Sequence, residues 1–124
     1  MQQIVIQVGK CAIHAKLRDT ATAKAVYAAL PFESVAQTWG DEVYFTVPVD
    51  SELELNAKDV VEKGEIAFWV EGSCIAIGFG PTPISTGDEI RLAAKTNIWA
   101  DAVEDVGILK EVNSGQTIHV AKAT

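Results

Sequence analysis

The chain has 124 residues, of which 17 are acidic and 10 are basic, so its formal net charge is −7. This length predicts one domain spanning residues 1–124, and the negative charge disfavours nonspecific binding to nucleic-acid phosphates. No apolar run approaches the roughly 20 residues of a membrane-spanning helix, and no basic segment precedes an apolar one at the N-terminus, so we expect a cytoplasmic protein without a signal peptide.

A hairpin and a helix are predicted at the start of the chain. Apolar residues alternate on both sides of Gly9-Lys10, a two-residue turn of the kind that joins antiparallel strands. This turn pairs Val8 with Cys11, Ile6 with Ile13 and Ile4 with Ala15, which places all six on one face and His14 on the other. A helix follows over residues 20–30, capped by Asp19 or Thr20 and stopped by Pro31.

A second hairpin is predicted over residues 34–47, with Gly40-Asp41 as its turn. Pairing outward from the turn sets Trp39 opposite Glu42, Gln37 opposite Tyr44 and Val35 opposite Thr46. The alternate residues, which are predominantly apolar, are expected in the core: Ala36, Thr38, Val43, Phe45 and Val47.

The rest of the chain is predicted to be mainly strands. Residues 50–56 suggest a loop or edge, 59–62 one helical turn, and 65–70 and 73–79 two central strands. Further on, we expect extended segments over 89–94 and 96–100, an acidic loop over 101–107, and a last hairpin made of 108–112 and 116–121. Many short strands with one helix predict a mainly β protein, either a closed barrel or a sandwich.

Four segments of the chain resemble, in order, the small prokaryotic proteins with a cyclophilin-like barrel. They are TAKAVYAALP from Thr22, WGDEVYFTVPV from Trp39, KGEIAFWVEGSCIAIGFGPTPIS from Lys63 and LKEVNSGQTIHV from Leu109. The resemblance implies a closed, mainly antiparallel β-barrel with one α-helix and short helical turns, and it implies no particular reaction.

The wider fold also includes the peptidyl-prolyl isomerases, which use an arginine beside a Phe-His pair. Neither Arg18 nor Arg91 lies in such a run, so the isomerase motif is not present in this sequence. Three functions stay open on the resemblance. They are a domain that binds a small molecule or short peptide, an enzyme (a divergent isomerase or a hydrolase-like activity on small amides), and a protein-interaction module.

The candidate ligand-binding residues are aromatic and polar side chains on predicted strands and one corner. Gln37, Trp39, Glu42 and Tyr44 share a face of the second hairpin, where aromatic walls and a carboxylate suit a small polar ligand. Trp69 faces away from Phe68 and either packs under the helix or lines a groove. We add Thr82, in the Gly80–Ser85 corner, and Asn97 and Trp99, which share a face of their strand and would complete one pocket if they approach Trp39.

No pattern in the sequence predicts a catalytic, metal or cofactor site. The histidines, His14 and His119, have no metal-ligand spacing, and Cys11 and Cys74 form no CxxC and are expected to be reduced thiols. We therefore expect no cofactor and no metal, and a small molecule or short peptide as the partner.

Overall fold

The computed structural model describes residues 2–123 as a mainly β, nearly closed antiparallel barrel. Its strands run in the spatial order β3-β10-β1-β2-β9-β7-β8-β5-β4, and β6 pairs with β9 outside this path. Because β3 and β4 are separated by one residue, the two ends of the order meet in the chain. The strands are β1 Gln3–Val8, β2 Cys11–Leu17, β3 Phe32–Val35, β4 Gln37–Thr38, β5 Glu42–Thr46, β6 Lys58–Val61, β7 Glu65–Trp69, β8 Cys74–Gly78, β9 Ile90–Ala102 and β10 Thr117–Lys122.

The first hairpin has the predicted register. β1 pairs with β2 so that Val8 faces Cys11, Ile6 faces Ile13 and Ile4 faces Ala15. Five of these six side chains are buried, and Cys11 is half-buried against the same core. The alternation and the two-residue turn thus define the same inner face.

The single α-helix, α1, spans Ala21–Ala29. The Thr20 side chain caps it by accepting a hydrogen bond from the Ala23 N–H at 3.0 Å, so Thr20 rather than Asp19 is the cap. Its buried residues, Thr22, Ala23 and Val26, follow the helical spacing and pack the helix against the barrel. It ends at Leu30, whose N–H donates to the Tyr27 carbonyl, just before Pro31.

The second hairpin was predicted to begin with one continuous strand, and this prediction is wrong, because the structure has two strands there, β3 and β4. β3 pairs with β10, so that Val35 faces Thr117 and not Thr46. The chain then turns at Ala36, whose N–H donates to the Gln116 carbonyl, and β4 pairs with β5. Gln37 faces Tyr44 as predicted. The bend at Ala36 lets one segment border both ends of the sheet and so close the barrel.

Two further predictions are wrong. Residues 59–62 do not form a helical turn, since Lys58–Val61 is β6 and pairs with β9; the consecutive valines at 60 and 61 favour extended backbone. Residues 108–112 are not a strand, because the Asp105 side chain accepts the Gly107 N–H at 2.8 Å and starts a 3₁₀-helix over Val106–Glu111. β10 pairs with β1 and β3 instead.

The segments predicted as extended over 89–94 and 96–100, together with the first residues of the predicted acidic loop, form one 13-residue strand, β9. Its second half belongs to the barrel. Its first half leaves the barrel and pairs with β6, and we call β6 together with residues 90–96 the flap. Between the pairs Lys58–Thr96 and Val60–Arg91 the register shifts, so that β9 bulges over residues 92–95.

The barrel and the flap enclose separate hydrophobic clusters. The barrel interior holds the main core, into which Ile66, Phe68, Ile75 and Ile77 point. Their alternate neighbours face outward and form an outer cluster with the flap. Its members are Val61, Ala67, Ala76, Ile90, Leu92 and Ile98, with Tyr44 packed against them.

Candidate functional site

A cavity of about 190 Å³ lies between the outer face of the barrel and the flap. Residues 92–94 and 96 of β9, including most of the bulge, line it from the flap side. The barrel contributes the remaining wall, from β5, β7, β8 and the turn before β5: Trp39, Glu42, Tyr44, Trp69, Cys74 and Ala76. The lining is predominantly apolar and aromatic with few polar groups, which is typical of small-molecule sites.

Strand register explains why a hollow forms here. Ala76 of β8 faces Tyr44 on one side and Ala67 on the other, so a small side chain, Ala76, forms the floor where larger side chains would fill the space. At one end of this floor Cys74 lies opposite Trp69, and at the other end Gly78 lies opposite Glu42. Since these rows are four residues apart on β8, the two ends are separated by about 13 Å.

Close packing fixes Trp69 at its end of the cavity. Trp69 lies against Gly72, where a Cβ atom would overlap the six-membered part of the indole ring. The Trp69 Nε1 atom is buried and has no hydrogen-bond partner among residues 2–123. An indole N–H is a donor only, so the Trp69 side chain at this end of the cavity has one donor that the described part of the chain leaves unused. The structure therefore places Trp69 in a groove, the second of its two predicted alternatives.

Glu42 occupies the opposite end and is only 6% exposed. Its Oε1 atom has no hydrogen-bond partner within the described part of the chain. Burial raises the pKa of Glu42 to about 7, because a charged carboxylate is poorly stabilised away from water. Near neutral pH the cavity thus contains a carboxyl group that exchanges between its neutral and charged forms.

The backbone places Trp39 next to Glu42. The Trp39 N–H donates to the Glu42 carbonyl at 3.0 Å across the turn, as expected from the predicted pairing. Gln37, two residues earlier on β4, is exposed and does not line the cavity. The strand ends at Thr38, so Gln37 lies within β4 and Trp39 lies beyond its end.

Thr82 has a structural environment outside the cavity. It is 6% exposed, its hydroxyl donates to the Arg91 carbonyl, and its N–H donates to the Ser85 Oγ at 2.9 Å. The Ser85 Oγ also accepts the Arg91 N–H at 3.2 Å. These hydrogen bonds attach the Gly80–Ser85 corner to the start of β9.

Asn97 and Trp99 do not approach Trp39, because they face the barrel interior. Asn97 pairs with Phe68, whereas the intervening Ile98 pairs with Ala67 on the outer face. The register shift between Ile66 and Ala67 leaves Trp99 unpaired in the ladder, and its side chain is fully buried in the main core.

The Asn97 side chain is saturated with structural hydrogen bonds. Its Nδ2 donates to the Thr22 Oγ1 at 3.0 Å and to the Glu52 carbonyl at 2.8 Å, and its Oδ1 accepts the Glu54 N–H at 2.8 Å. Asn97 therefore ties the loop over residues 50–56 and the start of α1 to the barrel. No polar atom of its amide is left for a ligand.

Of the eight predicted binding residues, the structure brings four together around the cavity: Trp39, Glu42, Tyr44 and Trp69. Cys74, Ala76 and the β9 residues of the wall were not predicted from the sequence. Alternation in β8 places Cys74 and Ala76 on the face opposite Ile75 and Ile77, and this was the available signal. No sequence pattern marks the bulge.

Residues 2–123 contain neither a cluster of metal ligands nor a membrane-spanning helix. No group of three or more His, Cys, Asp or Glu side chains in this range is arranged to hold a metal ion. No helix in it is both long and apolar enough to cross a membrane. Cys11 and Cys74 are free thiols.

Comparison with known proteins agrees with this architecture of an antiparallel barrel carrying an outer cavity. The sequence model of the family described as Cyclophilin-like matches residues 2–121, and the chain therefore belongs to that family. The hypothetical protein AF2241 from Archaeoglobus fulgidus is similar in structure, with 38% identity and a TM-score of 0.84 over 98% of this chain and 95% of that chain.

A more distant likeness concerns the fold alone. McbB, whose structure was solved in complex with tryptophan, has 15% identity and a TM-score of 0.70. The match covers 96% of this chain but only 44% of McbB. No curated protein matches the chain.

Proposed function

We propose that this cyclophilin-like domain binds a small organic molecule with a flat apolar group in the cavity beneath the flap. The observation that carries the proposal is that two side chains lining one aromatic-walled cavity, Glu42 and Trp69, each have a buried polar atom without a hydrogen-bond partner among residues 2–123. Buried polar groups are nearly always hydrogen-bonded, and exceptions call for an explanation. A ligand that bonds to them supplies one.

The size of the cavity sets the size of the ligand. An apolar cavity of roughly 150 Å³ holds one benzene molecule. This cavity has about 190 Å³, so it accommodates one flat aromatic group with a short substituent. A short peptide fits the same space if one of its side chains enters and its backbone stays outside. McbB has the same fold and was solved with tryptophan, which is a precedent for an aromatic ligand on such a barrel.

The proposal is tested by NMR with the indole N–H groups as reporters. The three tryptophans give one Nε1–H signal each. Aromatic fragments that bind in the cavity should shift the Trp39 and Trp69 signals. The Trp99 signal should not change, because Trp99 lies in the barrel core. Fragments that shift only other signals, or a broad aromatic library without a hit, would contradict the proposal.

A variant that fills the cavity provides the matching control. Ala76→Leu extends the side chain from the cavity floor, so it should abolish the fragment-induced shifts while the dispersed amide spectrum of the barrel is kept. If Ala76→Leu unfolds the protein, Glu42→Gln is the second variant, since it nearly preserves shape and changes only the carboxyl group. Unchanged fragment affinity in a folded Ala76→Leu variant would also contradict the proposal.

A further inference from the structure

We propose that the ligand of this cavity is an organic cation, an amine attached to a flat apolar group; this inference rests on the proposed function. The charge of the lining is the first argument. Glu42 is the only acidic residue in the lining, and no lysine, arginine or histidine among residues 2–123 contributes to it. Lys95, which follows Ala94 in the flap, is exposed and is not part of the wall.

The unpaired Glu42 oxygen is the second argument. A charged carboxylate that is buried without a partner is strongly destabilising, and a hydrogen-bonded cation at its side removes much of that cost. No side chain of the described residues forms a salt bridge with Glu42. An ammonium group brought by the ligand would make the contact that the chain itself does not provide, whereas an anionic ligand would be repelled.

The aromatic walls are the third argument. A cation is attracted to the faces of tryptophan and tyrosine rings, and the attraction grows when water is excluded. Trp39 is joined to Glu42 through its backbone, and Tyr44 is two residues further along the same strand. The carboxylate and the Trp39 indole thus lie at one end of the cavity, and Tyr44 lies beside Ala76, between that end and Trp69. The apolar part of the ligand would extend over Ala76 toward Trp69.

No other titratable group near Glu42 in the described part of the chain is placed to bind the cation in its stead. Tyr44 on β5 and Cys74 on β8 also line the cavity, and the β9 residues in the wall carry no titratable side chain. Asp41, its neighbour in the chain, is exposed. Glu65 on β7 lies on the other side of Gly78 from Glu42, and it already forms salt bridges with Arg18 and Lys58.

This geometry makes amine binding depend on pH. The pKa of Glu42 is raised to about 7 by burial, so its charged fraction rises about tenfold between pH 6 and pH 8. An alkyl amine with a pKa near 10 stays protonated over this range. Amine affinity should therefore increase about tenfold from pH 6 to pH 8 in the natural protein and stay constant in Glu42→Gln.

The experiment compares ligands that share a ring and differ in charge. One set is phenethylamine, phenethyl alcohol and hydrocinnamate, and a second set is tryptamine, tryptophol and indolepropionate. Dissociation constants are measured from the indole N–H shifts for the natural protein, Glu42→Gln and Asp88→Asn. Asp88 is exposed in a turn away from the cavity, so its variant controls for the change in net charge.

We expect each amine to bind at least about tenfold more tightly than its alcohol, and the carboxylate to bind most weakly, in line with charge-assisted hydrogen bonding. The preference should disappear in Glu42→Gln and persist in Asp88→Asn. Equal affinities within a set, or tighter binding of the carboxylate, would refute the proposal that the ligand is a cation. The proposed binding of small molecules in the cavity would remain. Absence of binding by all six compounds would overturn both.

Discussion

Glu42→Gln should stabilise the protein at neutral and alkaline pH but not at acidic pH. The pKa of Glu42 is raised by burial from its ordinary value of 4.5 to about 7. Between these values the folded protein retains a proton that the unfolded chain has released. The free energy of unfolding therefore falls as pH rises from 4.5 to 7 and then levels off, as far as this group is concerned. Because glutamine cannot ionise, the Glu42→Gln variant does not undergo this decrease in the free energy of unfolding.

The expected magnitude follows from the pKa. A difference of one pKa unit between folded and unfolded states corresponds to about 1.4 kcal/mol. Ionising the folded Glu42 therefore costs about 3 kcal/mol at high pH, and most of this appears between pH 5 and pH 8. Domains of this size are stable by roughly 5–15 kcal/mol, so the change is a substantial part of the total.

Urea denaturation of both proteins at pH 5 and pH 8 measures the effect. The quantity of interest is the stability of Glu42→Gln minus that of the natural protein, because other titrating groups cancel in this difference. It should be about 2–3 kcal/mol larger at pH 8 than at pH 5. Asp88→Asn, in which an exposed acid is lost, should show no such pH dependence. A Glu42→Gln difference that is the same at both pH values would refute the assignment of a buried, unpartnered carboxyl group.

Three other substitutions test the surroundings of the cavity. Asn97→Ala should lower the free energy of unfolding by about 3 kcal/mol, because three hydrogen bonds of a buried amide are lost at about 1 kcal/mol each; a loss below about 1 kcal/mol in denaturation experiments would contradict this. Gly72→Ala should weaken phenethylamine binding at least about tenfold, because the added methyl group displaces the Trp69 ring; unchanged affinity in the NMR titration would argue against it. Trp99→Phe removes a buried N–H that has no partner among residues 2–123, so it should lower the free energy of unfolding by only about 1 kcal/mol. A decrease near the roughly 3–5 kcal/mol of a Trp→Ala change, measured by thermal or chemical denaturation, would be inconsistent with this expectation.

Local patterns determine the parts of the fold that were predicted correctly. The register of β1 and β2 follows from alternation around a two-residue turn, and both features lie within a few residues of each other. The same is true of Trp39 and Glu42, which flank one turn and both line the cavity. Trp69 was placed on the outer face because its neighbour Phe68 belongs to the more apolar side.

Long-range packing determines the parts that were missed. Ala36 ends one strand pairing and begins another through hydrogen bonds with Gly115 and Gln116, about 80 residues away in the chain. Asn97 and Trp99 share a face as predicted, but only the pairing of Asn97 with Phe68 decides that this face is the interior. The bulge of β9 depends on its partner β6, which the sequence presented as a helical turn.

The division of apolar residues into two clusters also bears on how such a barrel can change. The main core depends on side chains that point inward, whereas the cavity is walled by their outward neighbours and by the flap. Substitutions in the bulge at 92–95 can therefore alter the shape and chemistry of the cavity while the main core inside the barrel is kept. One strand, β9, contributes its second half to the barrel and its first half to the flap, so the scaffold and the wall of the cavity can vary independently.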